Sequence, residues 1–303
     1  MNDIGAKENM GKMSNGLKRI FDQAVREKVV SLDAMKSAKQ QASHNLETMP
    51  SVESLVGSGR DPQHAIYVNT LNLISLFGDE MSTLPPLHRI NDFLAKWQDI
   101  YQPSFPPISP ITTSYFTCWS LLDATFGVDK ETVGTCFLSL IDRLPLDPIQ
   151  IEAARNLDQS RMGIYQVIQG NGKFIELREL VTDRRITAYC SSGYKGCPGD
   201  ILFVRLVPPL ANTADYSVML TTPYRLVMQS VQDWLCYFER HDIQSGKVGV
   251  ETRLSRHMKY GKKPTYWSEY IFYGYCNYEP EVVFLTGFPD QPQTQPNHDR
   301  YLK

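Results

Sequence analysis

Between Lys247 and Lys263 the chain carries six cations, Lys247, Arg253, Arg256, Lys259, Lys262 and Lys263, against one acid, Glu251. Aromatic residues overlap and follow them: Tyr260, Tyr266, Trp267, Tyr270, Phe272, Tyr273 and Tyr275. Cations attract phosphate and flat rings stack on bases, so Arg253, Arg256, Lys259, Lys262, Lys263, Tyr266 and Trp267 form a candidate nucleic-acid surface. Tyr266, Tyr270 and Tyr273 also recur at helical spacing. On that alternative they are a packing stripe, and the cations only keep the element soluble.

A second constellation surrounds "SGYKGCPGDILFVRLVPP", residues 192–209, where Gly193, Gly196 and Gly199 stand three apart before a run that is apolar except for Arg205. Such a run reads as a strand covered on both faces, and the glycines read as positive-φ positions that give it a tight entry. Arg178, Arg205, Tyr194 and Lys195 then define an alternative cleft, in which cations stabilise charge developing on a phosphoryl group. Gly193-Tyr194-Lys195-Gly196 has the GxxG form that grips a nucleic-acid backbone, but that motif joins two helices and here it lies among strands. Cys197, with His241 or His257 as base, is a thiol arrangement that no spacing ties together. Glu176 and Arg178 share one face of a strand and read as an ordinary ion pair. The six histidines show no HxH, HxxxH or HExxH spacing, the six cysteines form no CxxC pair, and no GxSxG elbow occurs. No metal site and no cofactor are therefore expected.

The elements that must position these residues divide the chain. Residues 1–15 are polar and read as a mobile tail, as does the stretch from Gln291 onward. Leu17, Ile20, Phe21, Ala24, Val25 and Val29 recur every three or four residues and predict a helix that continues to about Gln41. Residues 44–63 gather Pro, Gly and Ser and read as a loop, with Gly57-Ser58-Gly59 as a connector. Leu87, Ile90, Leu94, Trp97 and Tyr101 predict an amphipathic helix, which "QPSFPPISP" ends. Asp129 is the expected N-cap of a helix reaching Leu144, and Asp147-Pro148 starts another that runs to about Ser160. From Gly163 the pattern shortens to five β-prone runs parted by Asn171-Gly172, Thr182-Asp183, the glycine loop and "LANTAD". These predict a small antiparallel β-barrel or sheet, SH3- or OB-like, over 163–227. Helical spacing returns over 228–260, and "EVVFLTGFPD" at 281–290 reads as a late strand. The regions are thus 16–160 helical, 163–227 β, and 228–290 helical and aromatic.

Length and composition narrow the function classes. The 303 residues are 42% hydrophobic and 21% charged, which is the composition of a globular chain. Thirty-one Lys and Arg nearly balance 33 Asp and Glu, so no global field favours nucleic acid or an acidic membrane, and any such binding must be local. No apolar stretch is long enough to span a bilayer and no signal peptide is recognisable at the start, so no membrane association is expected. Scattered single cysteines fit a reducing cytoplasm. Nothing in the sequence specifies an oligomeric state.

Two resemblances accompany these patterns. Gly199 to Pro208 resembles the GD-I-x-x-V-x-L-x-P strand of MazF-like ribonuclease barrels over about ten residues. From about Pro106 to Pro289, "QSRMGIYQV", "LRELVT", "SGYKGCPGDILFVRLVPP", "TTPYRL" and "FLTGFPD" resemble segments of a group of uncharacterised bacterial proteins with the pattern SRxGxYxV, LRELVT, GYxGxxG[DE], RLxPP, TTPYxL. The second implies one integrated fold in a bacterial, cytoplasmic protein and names no reaction. The sequence therefore points to an α+β, non-catalytic binding protein that contacts nucleic acid or a protein partner through its basic, aromatic C-terminal surface. The alternative is a ribonuclease-like enzyme working at the barrel cleft.

Overall fold

Helices form where the chain can satisfy its first free N–H groups, and for the first helix of this protein those partners come from distant residues. The computed structural model describes residues 11–27, 50–82, 88–103, 109–144, 146–244, 249–279 and 281–291. Helix α1 (Lys12–Glu27) begins inside the stretch expected to be a tail. Glu131 accepts the N–H groups of Met13 (2.8 Å) and Ser14 (3.0 Å) together with the Ser14 hydroxyl, so a remote carboxylate caps the helix. Its expected continuation toward Gln41 lies outside the described residues.

The expected loop at 44–63 instead holds a short helix, α2 (Val52–Gly57), capped by the Ser51 hydroxyl, with Gly59 at φ +86° reversing the chain just beyond it. The 21-residue α3 (Pro62–Ser82) follows. It buries polar residues along with apolar ones, and three of them reach backbone carbonyls elsewhere: Gln63 donates to the Tyr216 carbonyl, Tyr67 to that of Pro208 and Asn69 to that of Pro50. Helix α4 (His88–Tyr101) matches the periodic stripe. Helix α5 (Thr113–Cys118) runs into one π-helical turn, Trp119–Asp123. Helix α6 (Val133–Ser139) is capped by Thr132, whose hydroxyl accepts the Thr135 N–H. The expected cap, Asp129, is engaged elsewhere, accepting the Lys12 N–H at 2.8 Å. Helix α7 (Pro148–Gln159) starts as its Asp-Pro signal predicts.

Five strands close a barrel: β1 (Arg161–Asn171), β2 (Phe174–Glu179), β3 (Arg185–Tyr189), β5 (Ser217–Met219) and β4 (Ile201–Val207), with β1 pairing back onto β4. The pairings are antiparallel except β3–β5, which is parallel. Asn171-Gly172 makes the predicted hairpin, with Gly172 at φ +61°. Tyr165, Val167, Ile175, Leu177, Ala188, Leu202, Val204, Leu206 and Met219 fill the interior. The other face of β4, with Ile201, Phe203 and Val207, packs into the core of the helical layers, so the strand is buried on both sides as its apolar run requires.

Strand β6 (Tyr224–Val227) extends the sheet from β4, and β8 (Val282–Thr286) joins β6 in parallel. Strand β7 (Tyr275–Glu279) makes a hairpin with β8. Between β6 and β7 lie α8 (Val231–Arg240), α9 (Val250–Tyr260) and α10 (Tyr266–Gly274). The fold is α+β: a helical first half, a small barrel, and closing helices and strands. No described helix is long and apolar enough to cross a membrane.

Candidate functional site

Arg205 is the one charged residue in the apolar run of β4, and alternation turns it outward from the barrel, opposite Met162 on β1, into the helical layer. There it is 1% exposed and its guanidinium meets Asp123, the last residue of the π turn. Its Nη1 also donates to the carbonyl and hydroxyl of Ser160, each at 3.0 Å. Beside this pair, Lys259 of α9 donates to the Asp158 carbonyl and stands 4.0 Å from that residue's carboxylate. Burial pushes the Asp123 carboxyl up against the opposing pull of Arg205 and Lys259, and burial likewise pulls the Lys259 ammonium down. Asp123 Oδ1 is buried with no hydrogen-bond partner.

Asp123 also lines a cavity of about 390 Å³, whose wall is completed by Thr125, Lys130, Arg256, Tyr260, Lys262 and Lys263. Three local features build this rim. Gly261 ends α9 at φ +58°, where a Cβ would lie 2.5 Å from the Tyr266 side chain, so the turn accepts glycine alone. The following Lys262-Lys263-Pro264 is fastened by Trp119, whose indole N–H donates to the Pro264 carbonyl at 3.0 Å. Opposite, a tight turn closed by mutual Phe126–Glu131 backbone bonds presents Lys130 at φ +53°. Of the five described non-glycine residues at positive φ, three are Asp or Asn, types that tolerate it; Lys130 is not, and such strain gathers at binding sites.

The rim is positive. Lys263 is paired with Glu269 at 2.6 Å, whereas Lys130, Arg256 and Lys262 are exposed and have no acid partner among the described residues. The Tyr260 hydroxyl, raised to about 12 chiefly by burial, stays protonated and can donate to an anion. A larger cavity of about 570 Å³ at one barrel mouth lacks this imbalance. There Arg161 pairs with Glu179 (2.9 Å) and Glu251 (3.3 Å), and Arg185 with Glu176 (3.6 Å).

Of the residues singled out from the sequence, Arg256, Lys262 and Lys263 meet on this rim, and the others do not join them. Lys259 is turned beneath the cavity. Arg253 donates to the Ile243 carbonyl at 3.0 Å. Tyr266 and Trp267 are 6% and 4% exposed and are core residues, bonded to Tyr237 and to the His257 carbonyl, so they offer no stacking face. The four residues of the alternative cleft are also separated. Arg205 is buried; Arg178 bonds Gln166 and Asp183 on the barrel wall; Tyr194 and Lys195 line a hollow of about 130 Å³ with Arg225. In the glycine loop Gly193 and Gly199 have the expected positive φ, at +74° and +93°. Gly196 does not, and is needed because a Cβ there would collide with the Tyr194 ring and the Asp200 carboxylate. His241 and His257 stack on each other, with ring centres 5.0 Å apart, in the C-terminal core.

Lys130, Asp123 and Gly261 were not evident from the sequence. The available signal was local: a glycine directly after a basic last helical turn marks a C-cap, and the two lysines after it are displayed by that turn. No protein-family model, no curated protein and no solved structure matches the chain.

Proposed function

We propose that the protein is a non-catalytic binding protein that takes the phosphate backbone of a single-stranded nucleic acid at the cleft between the 127–130 turn and the 261–264 turn. The observation that carries this reading is the set of three unpaired cations, Lys130, Arg256 and Lys262, converging from separate segments on one cavity of about 390 Å³. That volume lies within the ~300–1,000 Å³ usual for binding clefts. Beneath it the charges of Asp123, Asp158, Arg205 and Lys259 offset one another, so the rim alone sets the sign of the field. The reading is of a cytoplasmic protein; six cysteines that are all free support a reducing compartment.

Fluorescence anisotropy with a labelled single strand of about ten nucleotides tests it. Binding should weaken between about 50 and about 200 mM salt, with a log–log slope of about −0.7 for each phosphate neutralised. The double variant Arg256→Glu, Lys262→Glu should lose roughly tenfold or more in affinity and flatten that slope. Absence of binding at the lowest salt, or binding indifferent to salt, would refute the proposal. The ribonuclease-like alternative gains no support from Arg205, whose guanidinium is committed to Asp123 and Ser160.

A further inference from the structure

The cationic cleft does not end at Lys263. That residue also lines a second hollow, of about 230 Å³, whose walls are Tyr266, Tyr270, Tyr273 and Phe288 and whose polar lining includes Glu269. Tyr266 and Tyr270 are buried and fixed, the latter donating its hydroxyl to the Gly287 carbonyl at 3.1 Å. Tyr273, by contrast, is 69% exposed, and it lines the hollow, whereas the helix's other exposed ring, Phe272 at 43%, does not line it and lies beside Tyr101 with ring centres 6.0 Å apart. Among the aromatic residues that follow the basic cluster, the stacking face is thus Tyr273 rather than Tyr266 or Trp267.

Glu269 is held in place at this hollow: Oε1 accepts the Thr265 hydroxyl at 2.7 Å and Oε2 accepts Lys263 at 2.6 Å. Each oxygen keeps a second lone pair. An aromatic-walled hollow with an acceptor-only carboxylate, sharing a lysine with a cation-rimmed cleft, matches a ligand that is flat and bears donors at one end and is anionic at the other. The volume, below that of a drug-sized site, suits a single ring system.

We infer that this hollow is a base subsite: a nucleobase stacks on Tyr273 while its donor edge faces Glu269, and the adjoining phosphate lies in the cleft beyond Lys263. Guanine is the base of choice, because its pairing edge alone presents two adjacent donors, N1–H and the N2 amino group, to one carboxylate. The inference rests on the reading of the cleft as a phosphate-backbone site.

The test uses the full chain and labelled oligouridylates of about ten nucleotides in which the central residue is uridine, guanosine or abasic. Central guanosine should bind about tenfold tighter than central uridine, the discrimination of one good bidentate contact. Tyr273→Ala, at an exposed position, should shrink the difference between base-bearing and abasic strands from about tenfold to within about twofold. Glu269→Gln should erase the preference for guanosine over uridine. Salt-dependent binding with equal affinity for all three strands, or differences that survive Tyr273→Ala, would overturn the subsite and leave the backbone reading standing. No salt-dependent binding to any strand would overturn both.

Discussion

Of the glycine-bearing turns that carry cations, two end in opposite electrostatic states. The loop at 193–199 closes on itself. Asp200 accepts the Tyr194 hydroxyl and the Cys197 N–H and pairs with Arg225, while Lys195 pairs with Glu281 at 3.1 Å. The turn at 261–264 and its facing 127–130 turn keep Lys262 and Lys130 without acids, beside the equally unpaired Arg256 of α9. The first turn is the more conspicuous in sequence, yet its charges are spent on holding the loop to the sheet. The second has a single glycine and leaves its charges for a ligand. Clustered glycines and cations therefore do not identify a site; the supply of nearby carboxylates does.

The strongest way to break this contrast is from below. Arg205→Ala strands the buried Asp123 carboxylate under the second turn and should cost about 3–5 kcal/mol in urea unfolding, the range for removing one partner of a buried pair. Replacing Asp123 and Arg205 together by Leu and Met should restore most of that loss, because the pair's mutual attraction mainly offsets its own desolvation. An equal loss in the double variant would show that Arg205 acts chiefly through Ser160.

Acid should loosen the second turn as well. His257, on α9, faces Tyr237 (2.7 Å to its hydroxyl), His241, Lys262 and Asp290, and burial draws its pKa down to about 4 from an ordinary 6.5, with His241 also lowered. A depressed folded-state pKa means that the unfolded chain binds the proton first. The stability it confers is complete above 6.5 and falls as the pH drops toward 4, by about 1.4 kcal/mol per pH unit within that window for a fully shifted group. His257→Phe should flatten the dependence of unfolding free energy on pH; an unchanged profile would assign the acid sensitivity elsewhere.

Smaller effects sharpen the comparison. Gly261→Ala forces a Cβ onto Tyr266 at positive φ and should cost about 1–3 kcal/mol by thermal unfolding, with a parallel loss of nucleic-acid affinity. Lys195→Ala removes only an exposed ion pair on the first turn and should change stability by less than about 1 kcal/mol. A loss of nucleic-acid affinity in Lys195→Ala as large as that in the Arg256, Lys262 double variant would reverse the roles of the two turns.

Much of the fold was legible because its signals are local. The stripe of Leu94, Trp97 and Tyr101, the Asp147-Pro148 start and the Asn171-Gly172 hairpin each depend on residues within a few positions of one another, and each is present as read. Helix α3 was not legible. It is buried on several sides and carries Gln63, His64 and Asn69 inward, so no polar stripe sets its period. The start of α1 and the cap of α6 were missed for a related reason, since Glu131 and Lys12 compete with local capping signals from more than 100 residues away. The aromatic run at 266–275 was read both as a stacking surface and as a packing stripe. Tyr266, Trp267 and Tyr270 pack while Tyr273 does not, and spacing alone cannot assign the faces of a helix whose neighbours are unknown.

By itself the sequence determined the class of the fold, the order of its regions, the both-face burial of β4 and the local excess of cations before residue 263, since each follows from propensity, period or charge within short windows. Only the tertiary structure decided which cations stay unpaired. That outcome depends on Asp123, Asp158, Asp200 and Glu281 arriving from distant segments, and Coulomb attraction between close, partly desolvated groups acts over a few ångströms of space without regard to separation along the chain.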